Sequence, residues 1–221
     1  MMLLFAKVAR LEGVDCVSWR SQSQYGGVWN EEMFLGSKSA TDLRLSRDAW
    51  LQRSLEVLRE EGIVGVRVER LARDLHVTKG SFYWHFVDRD DLFTSLLEFW
   101  IQKYNDAIIK NPQFHDGDPG DGLLAAMAMV RKHGLDRYEL AMRAWADHDE
   151  RAEAAVRRVY KERSLFIRQF FTRLGFQRSQ AEVRTRMVLC YMSWEPNMYA
   201  DDSPSRRLNL LKQHLELLTT K

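Results

Sequence analysis

From Ser46 onward, apolar residues return at helical intervals. Leu51, Leu55 and Leu58 follow one another at spacings of four and three, behind a serine that suits an N-cap. "EEG" closes that run, with Gly62 as a stop, so the pattern predicts a first helix of about sixteen residues. A short link, "IVGVR", leads into "VERLARDL", where Val68, Leu71, Ala72 and Leu75 share one face. Thr78 suits the cap of a third, short helix. Asp88 suits that of a fourth, with Asp91 three positions on in the manner of a capping box. The fourth pattern runs through Leu92, Leu96, Phe99, Trp100 and Tyr104. "KNPQFHDGDPGDG" (110–122), dense in Pro, Gly and Asp, is the clearest break. Beyond it, helical patterns cover roughly 121–133, 135–147, 151–174, 178–194 and 204–219, and no strand pattern occurs. The expected fold class is all-α.

Residues 1–45 differ. "SWRSQSQYGGVWNEEMFLGSKSATDLR" is rich in Ser, Gln and Gly and has no sustained period. It reads as a poorly ordered or loosely docked extension, or as sequence upstream of a later start at Met33. The 221 residues have room for one large or two small domains. With 45% hydrophobic and 29% charged residues they can bury a core, and four prolines and twelve glycines are too few for a turn-rich β fold. A net charge of +2 argues for neither nucleic acid nor membrane, so any anion-binding surface must be local. Cys16 and Cys190 match no metal-ligand or redox spacing and read as free thiols in a reducing compartment. The opening "MMLLFAKVAR" is too short to span a bilayer and lacks the order of a signal peptide, which points to a cytoplasmic protein with no membrane partner.

The stretch "VTKGSFYWHF" (77–86) puts small polar groups at the start of a helix and aromatic residues at its end. Two short helices joined by a tight turn, with a third behind, make a helix-turn-helix, whose second helix enters the major groove of DNA by its N-terminus. There Gly80 lets the backbone come near, Thr78 and Ser81 offer hydroxyls, and Lys79 can reach a phosphate or a guanine edge. Phe82 and Phe86, four apart, are expected to anchor the helix. Tyr83, Trp84 and His85 are left near the surface, each able to donate to a phosphate oxygen.

Residues 55–97, "LEVLREEGIVGVRVERLARDLHVTKGSFYWHFVDRDDLFTSLL", resemble the DNA-binding domain of the TetR family of bacterial transcriptional regulators, and 143–176 resembles the C-terminal domain of one branch of them. The resemblance implies an extension over 1–45, a helix-turn-helix domain over 46–94 and a helical ligand-binding and dimerisation domain over 95–221. It places Thr78, Lys79 and Ser81 on groove-facing positions, and Tyr83 and His85 on phosphate contacts. Arg89 stands where the family usually has lysine. Two positions depart from the family pattern: Arg67 replaces a common capping threonine, and His76 replaces the usual turn glycine, where positive φ would penalise histidine less than most residues. Residues 46–94 hold eight Lys/Arg and nine Asp/Glu, a net of −1, so the basic footprint must be focal: Arg67, Lys79 and Arg89, with Arg44 and Arg47 upstream. The acidic side chains are expected on faces turned away from DNA, with modest nonspecific affinity.

In the larger domain, many big apolar residues are expected to be core. The resemblance implies that a subset lines a pocket for a small apolar or amphipathic ligand, with Trp100, Tyr104, Met127, Trp145, Phe166 and Trp194 as candidates. Leu208, Leu211, Leu215 and Leu218 form one stripe on the last helix, which either closes the monomer's core or pairs with a second copy. The family's two-helix dimer favours the second reading, with Met187 and Tyr191, and Trp194 again, on the helix before. A homodimer would read a palindromic double-stranded operator with half-sites roughly 34–36 Å apart, and a ligand that tilts the pair would release it. A repressor is the leading reading, a helical interaction module with a degenerate helix-turn-helix comes next, and an activator on the same fold is a third. The enzyme alternative rests on "HDGD" (115–118) and "ADHDE" (146–150), which read as solvated links. No catalytic constellation, cofactor motif or metal site stands out.

Overall fold

Ser46 accepts the Ala49 amide at 3.1 Å and starts α1 (Arg47–Glu61), which stops at Gly62, whose φ of 73° is a backbone region that favours glycine. The computed structural model describes residues 46–220, so the extension over 1–45, with Cys16 and Arg44, lies outside the described residues. One side of α1 is buried through Trp50, Leu51, Leu55 and Leu58, against the α4 and α6 defined below. A 3-10 turn (Ile63–Gly65) leads to α2 (Val68–Asp74) and then to α3 (Lys79–Phe82), a single helical turn.

Asp88 caps α4 (Arg89–Trp100) by accepting the Asp91 amide at 2.9 Å. Asp91 answers one residue earlier than a capping box would, accepting the Val87 amide at 2.9 Å. The helix does not end at Trp100. It widens into a π-helical segment (Ile101–Asp106) and finishes in one α turn (Ala107–Ile109). Such widened turns collect at functional sites, and this one turns Tyr104 and Asn105 inward, both nearly fully buried.

After a 3-10 turn (Pro112–Phe114) come α5 (Pro119–His133), α6 (Glu139–Ala146), α7 (Glu150–Arg173), α8 (Arg178–Met198) and α9 (Pro204–Thr219). Asp118 and Asp149, from the two segments that suggested an enzyme, are the N-caps of α5 and α7. The sequence pattern starts α6 at 135, but Gly134 takes a φ of 56° and the chain turns through 134–138 first. α7 is the spine, packed against α5, α6 and α8, and α9 lies on α5. The described residues are helical and contain no strand, and none of their helices is long and apolar enough to cross a membrane.

Candidate nucleic-acid interface and ligand cavity

The turn between α2 and α3 is closed by the amides of His76, bonded to Arg73 O at 3.1 Å, and Val77, bonded to Ala72 O at 3.0 Å. His76 carries a φ of 57°, the strained position that the replacement of glycine implied. Phe82 and Phe86 are buried as expected, Phe82 meeting Trp50 edge-on at 5.5 Å and Phe86 at 5.1 Å between ring centroids. With those two rings turned in, the neighbours are turned out. Tyr83 is 62% exposed and Trp84 88%. Thr78, Lys79 and Gly80 are exposed, and Ser81 and His85 are half-buried. A side chain at Gly80 would meet only the Thr78 hydroxyl, at an ordinary 3.6 Å, so nothing inside the protein demands glycine there. Thr78 holds the N-cap position without making a side-chain cap bond, and the Ser81 amide is bonded to the Thr78 carbonyl at 3.0 Å. Arg67 likewise heads α2 with no side-chain cap.

The charges sort into two groups. Asp74 takes Arg53 and Arg70 at 2.8 Å each, Glu61 takes Arg70 at 2.9 Å, and Glu56 takes Arg59 at 3.3 Å. These pairs cancel within the small domain. Glu69 is the exception: it meets Lys79 at 2.5 Å between α2 and α3. Their hydrogen bond holds the Glu69 carboxyl below its ordinary range and raises the lysine. Both are more than half exposed, so the contact is a weak tether. Arg89 is folded back, donating to the carbonyls of Val66 and Ile63 at 3.2 and 3.3 Å with its guanidinium 4.8 Å over the Phe93 ring. Arg47 is also turned inward, onto Ser95 at 2.5 Å and the Phe86 ring at 5.0 Å. Arg47, Arg67, Lys79 and Arg89 are all exposed residues, but Arg47 and Arg89 are bonded to groups of their own domain and Lys79 to Glu69.

Behind this domain a cavity of about 50 Å³ is lined by Tyr104, Met127 and Phe166, three of the six predicted pocket residues. The other three are elsewhere. Trp100 and Trp145 are buried outside it, and Trp194 is 48% exposed on α8 with Arg143 5.4 Å over its ring, which corrects its assignment. Pattern reading missed the cavity's polar wall of Asn105, Asp136, Glu139, Arg163 and Ser193. Arg163 reaches Glu139 at 2.9 Å and Asn105 at 3.1 Å, and the Tyr160 hydroxyl also donates to Glu139. Burial pushes the Asp136 carboxyl up despite its bond to Arg131. Glu139 is itself 4% exposed, at a depth where an unpaired charge would be prohibitive.

The leucine stripe of α9 is a second correction. Leu211, Leu215 and Leu218 are buried inside the protomer and Leu208 is half-buried, because that face lies on α5 and closes the core. Tyr191 is half-buried, stacked on His214 at 4.1 Å. Met187 is exposed, in a line with Val183, Trp194 and Met198 on α8, while Leu210 and Leu217 are exposed on another face of α9.

The arrangement of α1–α3 is that of a helix-turn-helix DNA-binding protein. Residues 51–96 match the family described as bacterial regulatory proteins, tetR family. Among curated proteins, the chain is 25% identical over 85 residues to the HTH-type transcriptional regulator AcrR of Shigella flexneri, covering 38% of this chain and 40% of that protein. It is 27% identical over 95 residues to the tetracycline repressor protein class D of Escherichia coli, covering 43% and 42%. The chain thus spans about two fifths of the length of these relatives. A transcriptional regulator from Rhodococcus sp. Rha1 has the same fold, with a TM-score of 0.62 at 18% identity over 81% of this chain and 96% of that one. Residues 51–96 thus resemble the tetR-family DNA-binding module, and the described chain shares the all-helical fold of solved regulators.

Proposed function

We propose that the protein is a homodimeric repressor, acting in the cytoplasm, that binds a palindromic duplex and lets it go when a small amphipathic molecule occupies the cavity. It works by binding and not by catalysis. The observation that carries the DNA half is the split within residues 78–86: Phe82 and Phe86 inside, Thr78 to Gly80, Tyr83 and Trp84 outside. Lys79 would exchange Glu69 for a phosphate or a guanine edge, with Arg67, Ser81, Tyr83 and His85 as flanking contacts. Arg89 would first have to leave its carbonyls.

Tyr104 supports the ligand half, because it belongs to both regions. It lines the cavity, and its hydroxyl donates to Gln52 of α1 at 3.0 Å. Gln52 also accepts from Lys103 at 2.9 Å and donates to the Tyr138 hydroxyl at 2.9 Å, and Tyr138 donates to Glu56. Burial, with Glu56 beside it, pushes the Tyr138 phenol far up, so it stays a neutral donor. A ligand that displaces Tyr104 therefore acts on the first helix of the DNA-binding domain. The present cavity has room for only a few waters, so the occupied state is wider. Its mixed wall suits an amphipathic ligand. The exposed line of Val183, Met187, Trp194 and Met198, with Leu210 and Leu217, is the pairing surface, in place of the buried leucines. The name of the tetracycline repressor supports the sign of regulation.

Selection of bound duplexes from a random pool tests the reading. The expected result is an inverted repeat whose retention is weakened by Lys79→Ala, with a salt slope reduced by about one, and weakened less by Tyr83→Phe. Recovery of no duplex would leave the helical interaction module.

A further inference from the structure

We propose that the open cleft between the helix-turn-helix and the α6–α7 junction is a second binding site, for a small monoanion with a flat apolar body. The cleft measures about 470 Å³, within the roughly 300–1,000 Å³ of small-molecule sites and far larger than the core cavity. Its floor is Phe93 and Trp145, both buried and set edge to face at 5.3 Å. Ile63 and Val64, from the α1–α2 link, form one apolar rim, and Val64 is 74% exposed, an apolar residue standing in water over an aromatic floor.

The charges choose the sign of the ligand. Arg67 and Arg89 both line the cleft. The two carbonyl bonds of Arg89 use two of the five N–H groups of a guanidinium and leave capacity for an anion. The one carboxylate in the lining, Asp149, is already committed. It caps α7 through the Arg151 and Ala152 amides at 2.9 and 3.4 Å and pairs with the Arg151 side chain at 2.9 Å. Arg151 reaches on to Asp90 at 3.4 Å, which neutralises the next acid. His148 completes the far rim. An anion therefore meets two guanidinium groups and no unmatched carboxylate, while a cation meets repulsion. The aromatic floor suits an aryl or similarly flat body. The same occupant touches Arg67, at the head of α2, and Trp145, at the end of α6, so it bridges the DNA-binding helices and the bundle.

Calorimetric titration of the full chain with 1-naphthoate, and with 1-naphthylmethylammonium of the same shape and opposite charge, tests the site. One naphthoate should bind per chain, and the ammonium should not. Val64→Trp fills the cleft and His148→Glu adds a negative charge; both replace exposed side chains, and circular dichroism checks that the fold survives. Each should weaken naphthoate by roughly tenfold or more, whereas Ser193→Val, in the core cavity, should leave it unchanged. The proposal is overturned by absence of saturable binding, by equal binding of the ammonium, or by indifference to Val64→Trp and His148→Glu. Loss of binding in Ser193→Val also overturns it, placing the probe in the core cavity and leaving the ligand reading of that cavity intact.

Discussion

At the α2–α3 contact, one pair of opposite charges meets in water: Lys79 and Glu69 touch at 2.5 Å with 55% and 65% of their side chains exposed. Inside the bundle two acids meet their partners out of it. The Glu139 side chain is 5% exposed, held by Arg163 at 2.9 Å and by the Tyr160 hydroxyl, and Glu195, 6% exposed, is held by Arg131 at 2.9 Å. The same residue types therefore do different work. The exposed pair is worth little to the fold and is available for exchange with a phosphate. The buried pairs are costly to assemble and costly to break, so they fix side chains around the cavity instead of offering themselves to a partner.

Truncation inside each region breaks this contrast hardest. Phe82→Ala removes a fully buried ring that meets Trp50, Tyr83 and Phe86, and should cost about 3–5 kcal/mol in denaturant unfolding. DNA binding should go with it, because α3 has one turn of its own and borrows its position from that ring. Glu139→Ala strands Arg163, with Arg143 3.9 Å from the lost carboxylate, and should cost on the order of 3 kcal/mol. An effect below roughly 1 kcal/mol, the range of surface pairs, would erase the distinction between the two regions.

How much of this was legible in the sequence follows the same line. α1 to α4 carry local instructions: Ser46 and Asp88 as caps, Gly62 as a stop, and the Phe82–Phe86 spacing that sends Tyr83 and Trp84 outward. Each depends on neighbours within a few positions, and each was readable. The α9 stripe at 208, 211, 215 and 218 was also readable as a stripe. Periodicity cannot say whether such a face meets its own chain or another copy, and here α5 takes it. The cavity was half legible. Tyr104, Met127 and Phe166 stand out as large residues, but Asn105 and Arg163 are brought together across 58 positions, and the π-helical turn that rotates Asn105 inward leaves no mark in the spacing. Arg89 sits where a phosphate contact was expected, and tertiary carbonyls claim it.

Gln52 sharpens the comparison, because it is the polar joint between the two regions. Gln52→Leu replaces the amide by apolar carbon and removes the partner of Lys103, Tyr104 and Tyr138 together. The expected loss is about 1–2 kcal/mol, since three part-buried polar groups lose a partner and water reaches some of them. If Tyr104→Phe in the Gln52→Leu background adds nothing further, the two side chains act as one unit, as a double-mutant cycle would report.

The smallest effect concerns His76, and its sign is informative. At φ 57° a histidine carries strain that glycine does not, on the order of 1 kcal/mol. Glycine also gains freedom in the unfolded chain, which returns roughly 0.4–1 kcal/mol of that advantage. His76→Gly should therefore stabilise by less than about 1 kcal/mol, read as a small rise in melting temperature, with no change in the contacts of Phe82 or Phe86. A fall in melting temperature would mean that the His76 side chain contributes to the turn beyond its backbone angle. Ala72 and Arg73, which accept the closing amides, would then be the next positions to vary.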